Sequence, residues 1–167
     1  MPVSDQGVTS DRYLLIPRTL IFLTRDQQVL LLLGAPHKRL WSNRYNGVGG
    51  HVEPGEDILG SAQRELAEET GLQAGCLWLC GILVVDTGNT PGIAVFVLRG
   101  EEPQGQLTSS PEGTLEWVDF TAVPRLPLVE DLYALLPRVL SARQGEAPFS
   151  ARSYYNEKGK LVLTFSN

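Results

Sequence analysis

The sequence predicts a mixed α/β sandwich whose sheet finishes in a C-terminal hairpin, and three observations lead there. Apolar, β-branched runs recur between turn residues from Tyr13 to Phe120. Two stretches of helical periodicity stand apart from one another among those runs. The end, Arg152 to Phe165, reads as two strands folding back at Glu157–Lys158–Gly159. Strands mixed with separated helices bury their apolar faces by layering helix on sheet.

The elements follow in order. Met1 to Arg12 is polar and turn-rich and reads as a flexible tail, leaving residues 13–167 as a single domain. Tyr13 to Thr24 predicts a strand, Arg25 to Gln28 a turn, and Val29 to Leu33 a second, buried strand. Gly34 to Tyr45 is a polar loop, and Asn46 to Val52 has the glycines of a segment that another backbone approaches closely. After the turn at Pro54–Gly55, Asp57 is placed to cap a helix running to Thr70, and Gly71 to end it. Leu59, Ala62 and Leu66 form its expected apolar stripe. Trp78 to Val85, Ile93 to Leu98 and Leu115 to Phe120 predict further strands, with Asp86 to Gly92 joining the first two. Leu128 to Ala142 predicts a second helix that Pro137 should kink or shorten.

Composition narrows the function. With 43% apolar and 20% charged residues, the chain has the balance of a soluble globular protein. Apolar runs such as Val29 to Leu33 are far too short to cross a bilayer, so no membrane partner is expected. Net charge is −5, and no basic run interleaved with aromatics exists, which argues against a nucleic-acid polymer as partner. Cys76 and Cys80 fit neither a zinc knuckle nor a redox pair; they read as small core residues, which points to a reducing cytoplasm. The totals allow either a monomer or a homodimer.

Chemistry concentrates between Gly50 and Leu72. Glu65, Glu68 and Glu69 stand at i, i+3 and i+4, so a helix puts all three on one face beside the apolar stripe. Like charges this close repel and raise one another's pKa unless a cation neutralises them. Oxygen-only donors favour a hard divalent ion, Mg²⁺ first and Mn²⁺ as substitute. Such an ion can bridge phosphates and activate water, which would let an acidic protein act on a small anionic substrate. Arg64 is expected to pair with a carboxylate, Glu56 foremost, and so decide which acids remain for metal.

The positions Gly50, Glu56, Arg64, Glu65, Leu66, Glu68, Glu69, Gly71 and Leu72 match the Nudix box, G-x5-E-x7-R-E-U-x-E-E-x-G-U, at every defined place. The chain therefore resembles the Nudix hydrolases, which implies an α/β/α sandwich and hydrolysis of nucleoside diphosphates linked to another group. The resemblance implies Glu65, Glu68 and Glu69 as metal ligands and catalytic residues, with the Gly50 carbonyl as a backbone ligand and Arg64 in support.

Likeness to one branch goes further, spanning roughly Thr19 to Leu140. Tyr45 to Val52 is similar to the W-N-G-F-G-G-K-V segment of the oxidised-purine nucleoside triphosphatases, which sanitise nucleotide pools. That implies Asn46 as the residue reading the purine edge; supporting a turn before Gly47 is the competing role. Glu112, five residues before Trp117, corresponds to an additional metal-binding or catalytic acid of the branch, though a solvated loop acid reads the same way. Glu130 and Asp131 resemble a paired-acid element that recognises the base, and acids at a helix start have a purely structural use as well. Two departures stand out. Gly34–Ala35 replaces the Lys or Arg that the branch carries after its second strand, leaving Lys38 or Arg39 to meet phosphate. Val129 or Leu128 replaces the aromatic that stacks on the base. The resemblance thus implies a Mg²⁺-dependent enzyme releasing monophosphate and pyrophosphate from nucleoside triphosphates. The alternatives are ADP-ribose, nucleotide sugars or dinucleoside polyphosphates as substrate, or a non-catalytic nucleotide sensor.

Overall fold

The computed structural model describes residues 2–7, 9, 11–37, 39–108 and 110–166. After a short 3₁₀ helix at Val3–Gln6, the chain forms strand β1 (Leu15–Arg25), a tight turn and β2 (Gln28–Gly34), followed by the brief β3 (Tyr45–Asn46). Helix α1 (Ile58–Thr70) comes next, then β4 (Leu72–Val85), β5 (Gly92–Gly105) and β6 (Gly113–Asp119). Helix α2 (Leu132–Ser141) and the hairpin β7 (Phe149–Tyr155) and β8 (Leu161–Ser166) complete the fold.

The sheet runs β3-β2-β1-β5-β4-β7-β8, with β6 joined to the other side of β2. It is mixed: β1 lies parallel to β5 and β4 parallel to β7, while the other strand pairs are antiparallel. Side chains of successive strand residues alternate faces, and β1 shows the consequence. Ile21 and Leu23 pack with Ala62 and Leu66 of α1, whereas Phe22 packs with Leu132, Leu135 and Leu136 of α2. Each helix covers one face, which is the expected α/β/α sandwich.

Three expectations need correction. Leu59 is 48% exposed, and α1 instead buries Ser61, Ala62, Leu66 and Thr70, with Ile58 partly buried. Starting the stripe one residue earlier follows the i, i+4 row Ile58, Ala62, Leu66, Thr70. Strands β4 and β5 extend far past the apolar runs, because Leu72 pairs with Gly105 and Gln73 with Gln104. The outer half of β5, from Arg99 to Gly105, is charged and polar and pairs through its backbone, which leaves little trace in a hydrophobic pattern, whereas that of β4 buries Leu72 and Ala74 against α1 residues of the core. Helix α2 starts at Leu132, not Leu128, because Pro127 to Val129 is extended alongside β3: Tyr45 N–H donates to Pro127 O (2.9 Å) and Val129 N–H to Tyr45 O (3.0 Å). Pro137 lies inside the helix as it continues to Ser141.

Cys80 is buried, and burial pushes its thiol up to about 11; Cys76 is only half-buried. Among the described residues no helix is long and apolar enough to cross a membrane.

Candidate active site

Helix α1 begins where Asp57 accepts a hydrogen bond from Gly60 N–H (2.8 Å) and ends at Gly71 in the left-handed conformation, φ 73°. Both caps stand where the sequence places them. Between them Glu65, Glu68 and Glu69 project from neighbouring turns, unequally exposed: the Glu65 side chain is 13% exposed and that of Glu68 61%.

Arg64 organises this face. Its Nε donates to Glu56 Oε1 (2.6 Å) and Nη2 to Glu56 Oε2 (2.9 Å), a two-pronged pair. Its Nη1 reaches Glu65 Oε1 (2.9 Å) and Glu68 Oε2 (3.2 Å), and Nη2 also donates to the His51 carbonyl (3.1 Å). Hydrogen bonding from Arg64, helped by the Glu53 N–H, holds the Glu56 carboxyl well below its usual range, at about 2. Repulsion among the acids is thus relieved in part by an internal cation, a term that the bare spacing of the glutamates does not reveal. Among the described residues no three acidic, His or Cys side chains converge closely enough to enclose an ion.

The segment before α1 lies against β1. Thr19 N–H donates to Gly50 O (2.9 Å), and Ile21 and Val48 exchange backbone bonds at 2.7 and 3.1 Å. The Glu65 carboxylate rests directly over the Cα of Gly50, in space a Cβ would need. Gly49 N–H points to Glu69 Oε2 at 3.4 Å. The Gly50 carbonyl therefore sits beside the acidic face with one bond already made to Thr19, and a second lone pair remains.

Two adjoining cavities open here, and Arg18, Trp41, Arg44, Asn46, Gly47 and Gly49 line both. One, of about 570 Å³, also contains Glu69, Glu112 and Arg39. The other, of about 540 Å³, has an apolar floor of Leu83, Val95 and Leu128 and carries Glu130 and Asp131 at its side. Burial raises the Asp131 carboxyl above its ordinary range, and the neighbouring Glu130 charge adds to that.

The structure thus brings Glu69, Glu112 and Arg39 together, and places Asn46 between them and the acid pair. Asn46 Oδ1 accepts from Gly47 N–H (2.9 Å), so the turn role is real, and among the described residues none accepts from its amide NH₂. Glu130 and Asp131 precede α2 instead of occupying its first turn, and Asp131 makes no side-chain cap bond. Lys38 lies outside the described residues.

Several lining residues escaped the sequence reading. Arg18 and Arg44 are single basic residues in unremarkable surroundings, and no local spacing marks them. Trp41 lines both cavities while 45% exposed. Ser153, Tyr155 and Leu161 reach the apolar cavity from the C-terminal hairpin, a proximity only the sheet order creates. Glu116 accepts a hydrogen bond from Tyr45 Oη (2.8 Å), and burial together with Glu116 raises that phenol.

A sandwich with a carboxylate-bearing helix beside a nucleotide-sized double cavity defines a class of phosphoric-anhydride hydrolases, and comparison with known proteins agrees. The NUDIX domain family model matches residues 14–139, so the chain belongs to the Nudix family and is a hydrolase of phosphoric anhydride bonds. The oxidized purine nucleoside triphosphate hydrolase of Mus musculus is 30% identical over 127 residues, 75% of this chain and 80% of that protein. Its counterpart from Danio rerio is 29% identical over the same extents. Among solved structures, the mutator MutT protein of Bacillus halodurans superposes with a TM-score of 0.77 at 27% identity, covering 90% of this chain and 97% of that one.

Proposed function

We propose that the protein is a magnesium-dependent pyrophosphohydrolase that cleaves nucleoside triphosphates, oxidised purine deoxynucleoside triphosphates among them, to a monophosphate and pyrophosphate. The observation that carries this reading is the pair of cavities sharing one wall. A nucleotide is flat and apolar at one end and densely charged at the other, and the two spaces differ in the same sense. The names of the mouse and zebrafish relatives favour a purine triphosphate over other linked nucleotides.

The donor set fits a hard ion by its chemistry, all oxygen on one helix face. Glu65, Glu68 and Glu69, with the Gly50 carbonyl and Glu112, would hold Mg²⁺, or Mn²⁺ in its place. Magnesium is ordinarily held by one or two carboxylates, waters and substrate phosphates, so a closed protein cage is not required. When bound, the ion supplies charge neutralisation for the phosphates and a lowered pKa for water.

The side chains have separable tasks. Arg64 keeps Glu56 bound and orients Glu65 and Glu68. The Asn46 amide donates to the purine edge, and Asp131, inclined to keep its proton, offers a second donor beside it. Water attacks a phosphorus, the anhydride P–O bond breaks, and pyrophosphate departs. We place this activity in the cytoplasm, in one domain spanning residues 13–167.

The test is release of pyrophosphate against phosphate across ordinary and oxidised purine triphosphates, pyrimidine triphosphates, ADP-ribose, a nucleotide sugar and a dinucleoside polyphosphate. Pyrophosphate from purine triphosphates at the highest kcat/KM is expected. A preference for ADP-ribose or a nucleotide sugar would transfer the chemistry to another substrate, and no turnover of any would leave a sensor.

A further inference from the structure

We infer that Arg18 and Arg44 are the phosphate-gripping residues of the nucleotide site, a pair of guanidinium groups at the joint of the two cavities that takes the phosphate nearest the nucleoside. The inference rests on the nucleotide reading above and names a contact that reading left to Lys38 or Arg39.

Both arginines line both cavities, whereas Arg39 lines only the one holding Glu69 and Glu112. Each cavity has acids away from the joint: Glu69 and Glu112 in one, Glu130 and Asp131 in the other. In a protein of net charge −5, Glu69 and Glu112 repel a phosphate unless a metal ion lies between, and Glu130 repels it at the other end, so the shared wall is where side-chain cations can meet it.

The fold fixes where both side chains start. Arg18 sits in the register of β1, opposite Val95 of β5 on one side and bridged to His51 on the other. By strand alternation it shares the face of Leu20, which also lines the apolar cavity. Arg44 ends a loop that folds back on β2. Gly34 N–H donates to Arg44 O and Asn43 N–H to Gly34 O, both at 3.0 Å. Trp41 and Asn43 turn the chain with φ of 59° and 55°. The Trp41 carbonyl passes so close to Gly34 that no Cβ fits there. A basic side chain is thereby excluded at the end of β2, while the same packing delivers Arg44 to the joint.

Arg64, Arg99 and Arg152 are engaged in ion pairs, and Arg25 and Arg138 lie over aromatic rings. Among the described residues neither Arg18 nor Arg44 enters an ion pair or covers a ring. Their planar forks suit a phosphate's oxygens in pairs.

The experiment is calorimetric binding of deoxyguanosine and of its 5′-monophosphate, with EDTA present so that no divalent ion contributes. Wild-type protein should prefer the monophosphate, the preference falling as salt rises. Arg18→Gln and Arg44→Gln should each lower the monophosphate-to-nucleoside affinity ratio roughly tenfold, as expected for a charge-assisted hydrogen bond. Arg18→Lys should restore part of it. An unchanged ratio in both Gln variants overturns the inference, and so does a wild-type protein with no monophosphate preference. The nucleotide panel above reads the broader function independently, because turnover with an unchanged ratio would sink only the arginine assignment.

Discussion

The acidic face of α1 and the apolar cavity beside it are assembled in opposite ways. Glu56, Arg64, Glu65, Glu68 and Glu69 are close in the chain, and one helix with one arginine fork holds them in register. The cavity draws on β1, the loop before β3, the strands β4 and β5, the start of α2 and the terminal hairpin. A locally encoded face can keep one chemistry through much sequence change elsewhere. A wall gathered from distant segments alters its shape whenever any of them changes, which makes it the natural seat of substrate choice.

Substitutions on the two sides should therefore differ in kind. The largest effect is expected at Glu68, where Glu68→Gln removes a charged oxygen donor but almost no buried contact. Turnover should fall roughly a hundredfold or more, with the melting curve unchanged because the side chain is 61% exposed.

Arg64→Ala comes next. It releases Glu56, Glu65 and Glu68 together, and turnover should fall roughly tenfold or more, as when an outer partner of a metal ligand is lost. Thermal stability should fall as well. The contribution of the Glu56–Arg64 pair has a direction in pH: complete above the ordinary Glu value of 4.5, and lost as pH drops toward about 2. Acid titration of stability in wild type and variant checks this.

The smallest effect belongs to the cavity side. Asp131 holds its proton above the ordinary Asp range, so rising pH charges it beside Glu130 and removes a donor from the site. KM for purine triphosphates should climb a few-fold (an order-of-magnitude expectation for one neutral hydrogen bond) as pH passes that raised value. Asp131→Asn, which cannot ionise, should keep a flat KM. The same ionisation weighs against the folded state as pH rises from 3.8 toward the raised value, and the Asn variant lacks that loss. A pH-independent KM in wild type would detach Asp131 from base recognition.

The contrast also explains what the amino-acid order reveals. Helix spacing alone put Glu65, Glu68 and Glu69 on one face, and Asp57 and Gly71 mark both ends of α1, since capping and periodicity are short-range physics. The glutamate-to-arginine pair was legible for the same reason. Arg18, Arg44, Tyr155 and Leu161 were not, because their meeting depends on parallel pairing of β1 with β5 and of β4 with β7. Leu59 misled because leucine is a good helix former on either face, and only tertiary packing selects Ile58 instead. The long outer half of β5 is hard to read because its ladder is held by backbone bonds, indifferent to polar side chains, and that of β4 because Gln73 and Gly75 interrupt its apolar residues.

The central claim is that the carboxylate helix, already partly neutralised by Arg64, completes a divalent-ion site together with a nucleotide. Calorimetric titration of Mg²⁺ into the wild-type protein, with and without a non-hydrolysable nucleoside triphosphate analogue, tests this directly. Uptake should be weak in the free protein and much tighter with the analogue bound, and Glu68→Gln should abolish the difference. Equal uptake with and without analogue, or none in either case, would contradict the account.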